Sequence, residues 1–144
     1  MTAAVCVLTD TARWRVALSS AAGAFAPLAP GARIGLVAED AVLPGGPPGA
    51  PMLVWEKRAA GIDVRESEFG SFETADVDVL IAVDAQAQAE LYGALDGNVI
   101  AAMRGLLRTG HLLFFARRPL RALEDAGYES LLEEMGFAYL GACR

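Results

Sequence analysis

Several acidic side chains stand where this sequence could do chemistry, because each comes at or just past the end of a predicted β-strand. In a parallel sheet the carboxyl ends of the strands meet at one edge, where open α/β folds bind their ligands. Carboxylates gathered there could hold Mg²⁺ or a polar ligand rich in hydrogen-bond donors. The alternative is that these acids cap helices or are solvated. They are Asp10, Glu39, Asp40, Glu68 and Asp84.

A basic cluster, Arg117, Arg118 and Arg121, lies just beyond the predicted fifth strand. A guanidinium group there could bind a phosphate or a carboxylate through paired hydrogen bonds. The alternative is that these arginines are solvated and pair with surface carboxylates. The predicted ligand-binding residues are Asp10, Glu39, Asp40, Asp84 and Arg117, with no metal site.

His111 opens the predicted fifth strand directly after Gly110. No cysteine or serine partner is visible by motif, so we expect partial burial with one backbone hydrogen bond rather than a role as catalytic base. The two cysteines, Cys6 and Cys143, cannot build a metal quartet or a CxxC pair. We predict that both are reduced, buried thiols.

The composition limits the class of protein. A chain of 144 residues predicts a single domain, 1–144, and 54% hydrophobic residues exclude disorder. The net charge of −6 argues against nucleic-acid binding, which needs surplus Lys and Arg. No apolar run approaches the roughly 18 residues of a membrane span, and no basic segment precedes the first apolar run. We therefore expect a cytoplasmic protein with no membrane partner.

Short apolar runs alternate with helical patterns along the chain. Predicted strands cover residues 4–8, 34–38, 62–66, 77–83, 111–116 and 137–142. Predicted helices follow Asp10 or Thr11, cover residues 52–60 and 85–95, follow Asn98, and occupy a region around 120–135 that is weakened at Gly127. Pro51 suits the first turn of the 52–60 helix and Gly61 its end. The Pro-Gly-rich residues 41–51 predict an irregular loop.

This order predicts an α/β protein: a three-layer Rossmann-like domain with a mostly parallel central sheet of about six strands. Val79, Ile81, Leu113 and Phe115 should then lie almost fully buried in adjacent central strands. Truncating Phe115 to alanine should cost about 3–5 kcal/mol.

Residues 28–34, 75–82, 106–114 and 135–137 resemble, in order, landmarks of class I S-adenosylmethionine-dependent methyltransferases. They match the start of that family's first strand, its fourth strand, the glycine before its fifth strand, and the turn into its final hairpin. The turn at residues 36–40 departs from the family, because it lacks the glycine-rich cofactor loop. The resemblance implies a degenerate domain that does not bind S-adenosylmethionine tightly.

The opening Val5-Cys6-Val7-Leu8-Thr9-Asp10, with the alanine-rich helix and strand after it, is also similar to DsrE-like sulfur-relay proteins. Members that carry sulfur use a cysteine after a middle strand. Residues 64–68 occupy that place here and contain no thiol. The resemblance therefore implies a relay or binding subunit that lacks the sulfur-carrying cysteine at this position.

The function we expect is non-catalytic: a methyltransferase-like domain that binds a small ligand or a partner subunit and could form a homo-oligomer. The alternatives are a DsrE-like relay or binding subunit and an active methyltransferase, and the sequence leaves the cofactor unknown. If the protein binds a ligand, the loop at residues 41–51 should border the same cavity as Asp10, Glu39 and Asp84.

Overall fold

The computed structural model describes residues 7–43, 46, 49–71 and 73–136, which form an α/β fold around one mixed sheet. The strands are β1 (Arg33–Ala38), β2 (Ala50–Arg58), β3 (Gly61–Phe69), β4 (Val79–Val83) and β5 (Leu112–Ala116). The helical segments are α1 (Thr11–Ser20), α2 (Ala22–Phe25), α3 (Glu39–Val42), α4 (Ala85–Ala94), α5 (Val99–Arg108), α6 (Leu120–Asp125) and α7 (Glu129–Glu134).

The described strands have the order β3-β2-β1-β4-β5. β1 and β4 are parallel, with Ala38 opposite Val83, whereas β1–β2, β2–β3 and β4–β5 are antiparallel. The prediction of a Rossmann-like domain with a mostly parallel sheet of about six strands is therefore wrong. The α/β class itself is confirmed.

The main error lies at residues 52–60, which were predicted as a helix and in fact belong mostly to β2 and its turn into β3. Pro51 and Gly61 are good local signals for a helix start and stop, but β2 is bonded to a strand on each side. Such pairing, with burial on both faces, outweighs local propensity. Because β2 returns antiparallel where a crossover helix was expected, the sheet is mixed.

One face of the sheet carries the larger core. Trp14, Leu18, Leu91 and Met103 project from α1, α4 and α5 onto this face and are fully buried. Strand residues such as Ile81 meet them there. This face contains most of the buried apolar surface, which is the dominant favourable contribution to folding.

The opposite face carries a smaller core. Met52, Val54 and Leu80 point to this side, as side chains two residues apart along a strand must. Ala41 from α3 and Val77 from the segment before β4 pack against them. The described residues thus cover this face with a short helical turn and a loop rather than with a full helical layer.

The burial predicted for the two apolar runs is half right. Val79 and Ile81 are each 1% exposed in β4, which lies between β1 and β5. In β5, Leu113 is 37% exposed and Phe115 only partly buried, so that part is wrong. β5 is the last described strand of the sheet, which makes the predicted loss of about 3–5 kcal/mol for Phe115→Ala too large.

Local signals for helix ends are largely confirmed. The side chains of Asp10 and Asn98 cap α1 and α5 by accepting hydrogen bonds from Arg13 N and Ala101 N. The region around 120–135 is two helices, divided at Gly127 with a φ of 85°. Capping needs only neighbours three residues away, which is why the sequence reveals it.

Parts of the predicted element set lie outside the described residues. The predicted strand at 137–142 and most of that at 4–8 do so, together with Cys6 and Cys143. Val7 and Leu8 are described, and both are buried within a turn. Within the described part of the chain, no helix combines the length and apolar composition that crossing a membrane requires.

Candidate functional site: the His111 edge

The parallel pairing of β1 with β4 brings two of the predicted acidic positions together. Glu39 and Asp84 directly follow Ala38 and Val83, which are paired across the two strands. β5 runs antiparallel to β4, so its start, and therefore His111, reaches the same edge of the sheet. We call this edge, where β1 and β4 end and β5 begins, the His111 edge.

Asp84 and His111 form a direct pair at this edge. His111 Nδ1 lies 2.7 Å from Asp84 Oδ2, and the backbone amide of Asp84 donates to the carbonyl of His111. An ionised carboxylate can only accept a hydrogen bond, so Nδ1 carries the proton. In the neutral ring this leaves Nε2 as a hydrogen-bond acceptor, and Nε2 bonds to no described residue.

Asp84 has a second role as the N-cap of α4. Its Oδ1 accepts from the amide of Ala87 at 2.9 Å. This hydrogen bond and the one with His111 hold the pKa of Asp84 below its ordinary value of 3.8. The carboxylate is therefore ionised at neutral pH and fixes both the position and the tautomer of His111.

His111 lines an open cleft of about 330 Å³ between α4 and α5. Its other polar lining side chains are Gln86 and Glu90 from α4 and Thr109 at the end of α5. Ala101 and Leu106 are among the residues that form its apolar wall. The volume lies at the lower end of the range for small-molecule sites, and the lining contains no serine, cysteine or lysine.

Glu39, Asp40 and Glu68 lie on the same edge but away from this cleft. Glu39 and Asp40 form the first turn of α3, and Asp40 is exposed. Glu68 is exposed near the end of β3, which is separated from β1 by β2. The sequence therefore placed these acids on the correct edge, although the structure does not gather them into one cluster.

Asp10 lies elsewhere. Besides capping α1, it lies 3.5 Å from the hydroxyl of Tyr92 on α4. Tyr92 comes eight residues after Asp84, about 12 Å along the helix. Asp10 thus joins α1 to α4, and none of its described hydrogen bonds is with Asp84 or His111.

Arg117 is on the opposite edge of the sheet, so its placement with the acids was wrong. It follows the end of β5, and its backbone amide donates to the carbonyl of Asp78, which precedes β4. The prediction assumed a parallel β5, whereas the antiparallel pairing exchanges the two ends of the strand. Arg117 Nε is buried and bonds to no described residue.

The opposite edge is held by a polar cluster centred on Asp78. Its carboxylate accepts from Arg33 N at 3.1 Å, from Arg118 Nε at 3.0 Å and from the hydroxyl of Tyr128 at 2.8 Å. Burial, together with the charge of Asp78, raises the pKa of Tyr128 above its usual range. Arg118 is thus paired with a carboxylate. This agrees with the interpretation in which the arginines of the basic cluster pair with carboxylates rather than bind a ligand.

Two further clefts lie on the helical side of the sheet. The larger, about 490 Å³, is lined mainly by small residues of α1, α2 and α5, and the other, about 250 Å³, lies near the β2–β3 turn. Asp10, Glu39 and Asp84 line none of these three clefts. Because part of the 41–51 loop lies outside the described residues, its role in a shared cavity stays a prediction.

The pairing of His111 with Asp84 was the main feature that sequence reasoning missed. These two residues are 27 positions apart, and only the antiparallel direction of β5 brings them into contact. The sequence did contain a usable signal: His111 comes just before one predicted strand and Asp84 just after another. If those two strands were antiparallel neighbours, the two residues would meet. Among the described residues, no group of three or more His, Cys, Asp or Glu could hold a metal ion.

We expect replacement of Asp84 by asparagine to lower the free energy of unfolding at pH 7. The side-chain oxygen of asparagine can still cap α4, so the loss of stability measures the contribution of the carboxylate charge. Because the pKa of Asp84 is lowered by folding, its contribution is present above pH 3.8 and is lost as the pH falls through the folded-state pKa. The difference between wild type and variant should therefore shrink on acidification, as measured by denaturant unfolding from pH 7 to pH 2.5.

Asp40→Asn is the matched control, because it removes the same charge from an exposed side chain at the same edge. A difference between wild type and Asp84→Asn that stays constant over the whole pH range would show that the carboxylate charge of Asp84 contributes nothing to stability.

Comparison with known proteins does not identify a family: no protein-family model, curated protein or solved structure matches the chain. The methyltransferase and DsrE-like resemblances therefore stay predictions.

Proposed function

We propose that this protein is a non-catalytic binding protein whose small polar ligand lies in the cleft between α4 and α5. The observation that carries the proposal is the imidazole of His111, which lines this cleft and is oriented by a 2.7 Å contact with Asp84. A polar group held by a second polar group is typical of a site in which orientation matters. Asp84 acts as a positioning residue.

Binding is favoured over covalent catalysis by the chemistry of the cleft. Its lining has no serine, cysteine or lysine, and the hydroxyl of Thr109 donates back to the carbonyls of Gly105 and Leu106. A nucleophile would need its proton directed at a base, whereas this proton is directed at the helix backbone. The residues can hold a ligand, but they do not form a nucleophile–base pair.

Filling the cleft is the sharpest test. Gly105 lines it, and a Cβ at Gly105 would meet no atom within 4 Å, so Gly105→Leu should fold normally while occupying the space. Gly93→Leu is the matched control, because Gly93 is also an exposed, unobstructed helical glycine and does not line the cleft. Both changes should slightly stabilise the helices, since glycine is a poor helix former.

The measurement is a thermal-shift screen with amines, amino acids, nucleotides, S-adenosylmethionine and divalent metals. A ligand at 100 times its Kd adds about 2.7 kcal/mol to the stability of the folded state. We expect a compound that stabilises the wild type and Gly93→Leu but not Gly105→Leu. Stabilisation that survives in Gly105→Leu, or a screen with no stabilising compound, would overturn the proposed site.

A further inference from the structure

Each polar side chain that lines the cleft has an oxygen or nitrogen atom that can accept a hydrogen bond. One N–H of Gln86 Nε2 is directed at Glu90 Oε2 at 3.0 Å, which leaves the amide oxygen of Gln86 for another partner. The hydroxyl of Thr109 donates to Gly105 O at 3.1 Å, so its oxygen can accept. In the neutral ring, whose Nδ1 proton is directed at Asp84, His111 offers the lone pair of Nε2.

The charge in the cleft has one sign. Among its lining residues Glu90 is the only acid and there is no lysine or arginine. Gln86 engages only Oε2 of Glu90, and Oε1 bonds to no described residue. The carboxylate of Asp84 lies directly behind His111, and the whole chain carries a net charge of −6. The cleft therefore attracts positive charge and opposes anions.

Part of the wall is apolar and its space is small. Ala101, Ala102 and Leu106 give the cleft a hydrocarbon surface beside the acceptors, within about 330 Å³. A ligand that fits both parts has a short hydrocarbon body and a positively charged group that donates hydrogen bonds. Charge-assisted hydrogen bonds are roughly twice as strong as neutral ones, which favours an ammonium group over a hydroxyl group.

We propose that the ligand of this cleft is an organic amine, bound in its protonated form with its ammonium group on Glu90 and its hydrocarbon part against α5. This inference rests on the proposed function and names the ligand class of the same site. A primary ammonium group has two further N–H groups, which His111 Nε2 and the oxygen atom of either Gln86 or Thr109 accept.

The probes are butylamine and 1,4-diaminobutane, compared with butanol and butyrate, which have the same carbon number with neutral and negative head groups. His111 is the only histidine in the chain, so its ring signals in an NMR titration report this cleft alone. We expect saturable shifts of these signals with the two amines and much smaller ones with butanol and butyrate.

The variant that tests the contact is Glu90→Gln, which keeps the size of the side chain and removes its charge. Amine affinity should fall by about threefold or more, the size expected for an ion pair at an exposed carboxylate. Glu124→Gln is the control, because Glu124 is an exposed helical acid that does not line the cleft, and it should change the affinity by less than about twofold.

The outcomes separate the two proposals. If butanol or butyrate shifts the His111 signals as strongly as the amines do, the cleft binds ligands but the amine class is wrong. Amine binding that Glu90→Gln leaves unchanged would also overturn the amine class. If none of the four probes shifts the His111 signals, the amine proposal fails, and the wider thermal-shift screen alone decides the proposed function.

Discussion

Replacing Gly127 with alanine should destabilise the protein by about 2–5 kcal/mol. Gly127 joins α6 to α7 with a φ of 85°, a conformation that costs an alanine roughly 1–2 kcal/mol. A Cβ at this position would also lie 2.0 Å from the carbonyl oxygen of Pro27, which is backbone and cannot move aside cheaply. The measurement is the free energy of unfolding from denaturant titration.

Gly110→Ala is a closely matched control for this change. Gly110 has the same φ of 85°, but a Cβ there would meet nothing within 4 Å. Its substitution should cost only the conformational strain, roughly 1–2 kcal/mol. The difference between the stability losses of the two variants measures the effect of the close approach of Gly127 to the backbone of Pro27. Equal losses in the two variants would show that this approach does not constrain the fold.

Replacing Trp14 with alanine should cost about 3–5 kcal/mol, the usual loss for a large buried aromatic side chain. Trp14 is 0% exposed, its ring centroid lies 5.0 Å from that of Trp55, and its Nε1 donates to the carbonyl of Val7 at 2.6 Å. The truncation removes packing between α1 and the sheet and leaves a buried carbonyl unpaired. Denaturant unfolding, monitored by circular dichroism, measures the loss.

Val16→Ala provides the control on the same helix. Val16 is 66% exposed, so its truncation should change stability by less than about 0.5 kcal/mol. Trp14→Phe separates the two contributions of Trp14, because it keeps most of the ring packing and removes only the hydrogen bond to Val7. A loss below about 1 kcal/mol for Trp14→Ala would mean that α1 is not docked on the sheet as described.

The candidate site could be predicted only in part. Asp84 was identified from its place after an apolar run, and the structure puts it at the sheet edge, in contact with His111. Glu39 and Asp40 also follow an apolar run and lie at the same edge, although they do not line the cleft. Arg117 was placed at the wrong edge because β5 is antiparallel to β4, whereas Asp10 contacts Tyr92 of α4 rather than Asp84 or His111.

Local features could be recognised from the sequence because their causes are local. The cap of α1 at Asp10 and the break at Gly127 involve neighbours within a few residues. The apolar run of β4 is explained by burial on both faces, which excludes polar side chains wherever the strand lies in the sheet. None of these signals depends on the direction of a neighbouring strand.

Strand direction was decided by tertiary structure alone. An apolar run is equally compatible with a parallel or an antiparallel neighbour, and its residue types do not indicate the direction of the neighbouring strand. At β2 the pairing with two strands overrode helix-like ends at Pro51 and Gly61. At β5 the antiparallel direction moved Arg117 to the far edge and brought His111 to Asp84. The sequence by itself determined which residues could do chemistry, and the direction of one edge strand determined which of them meet.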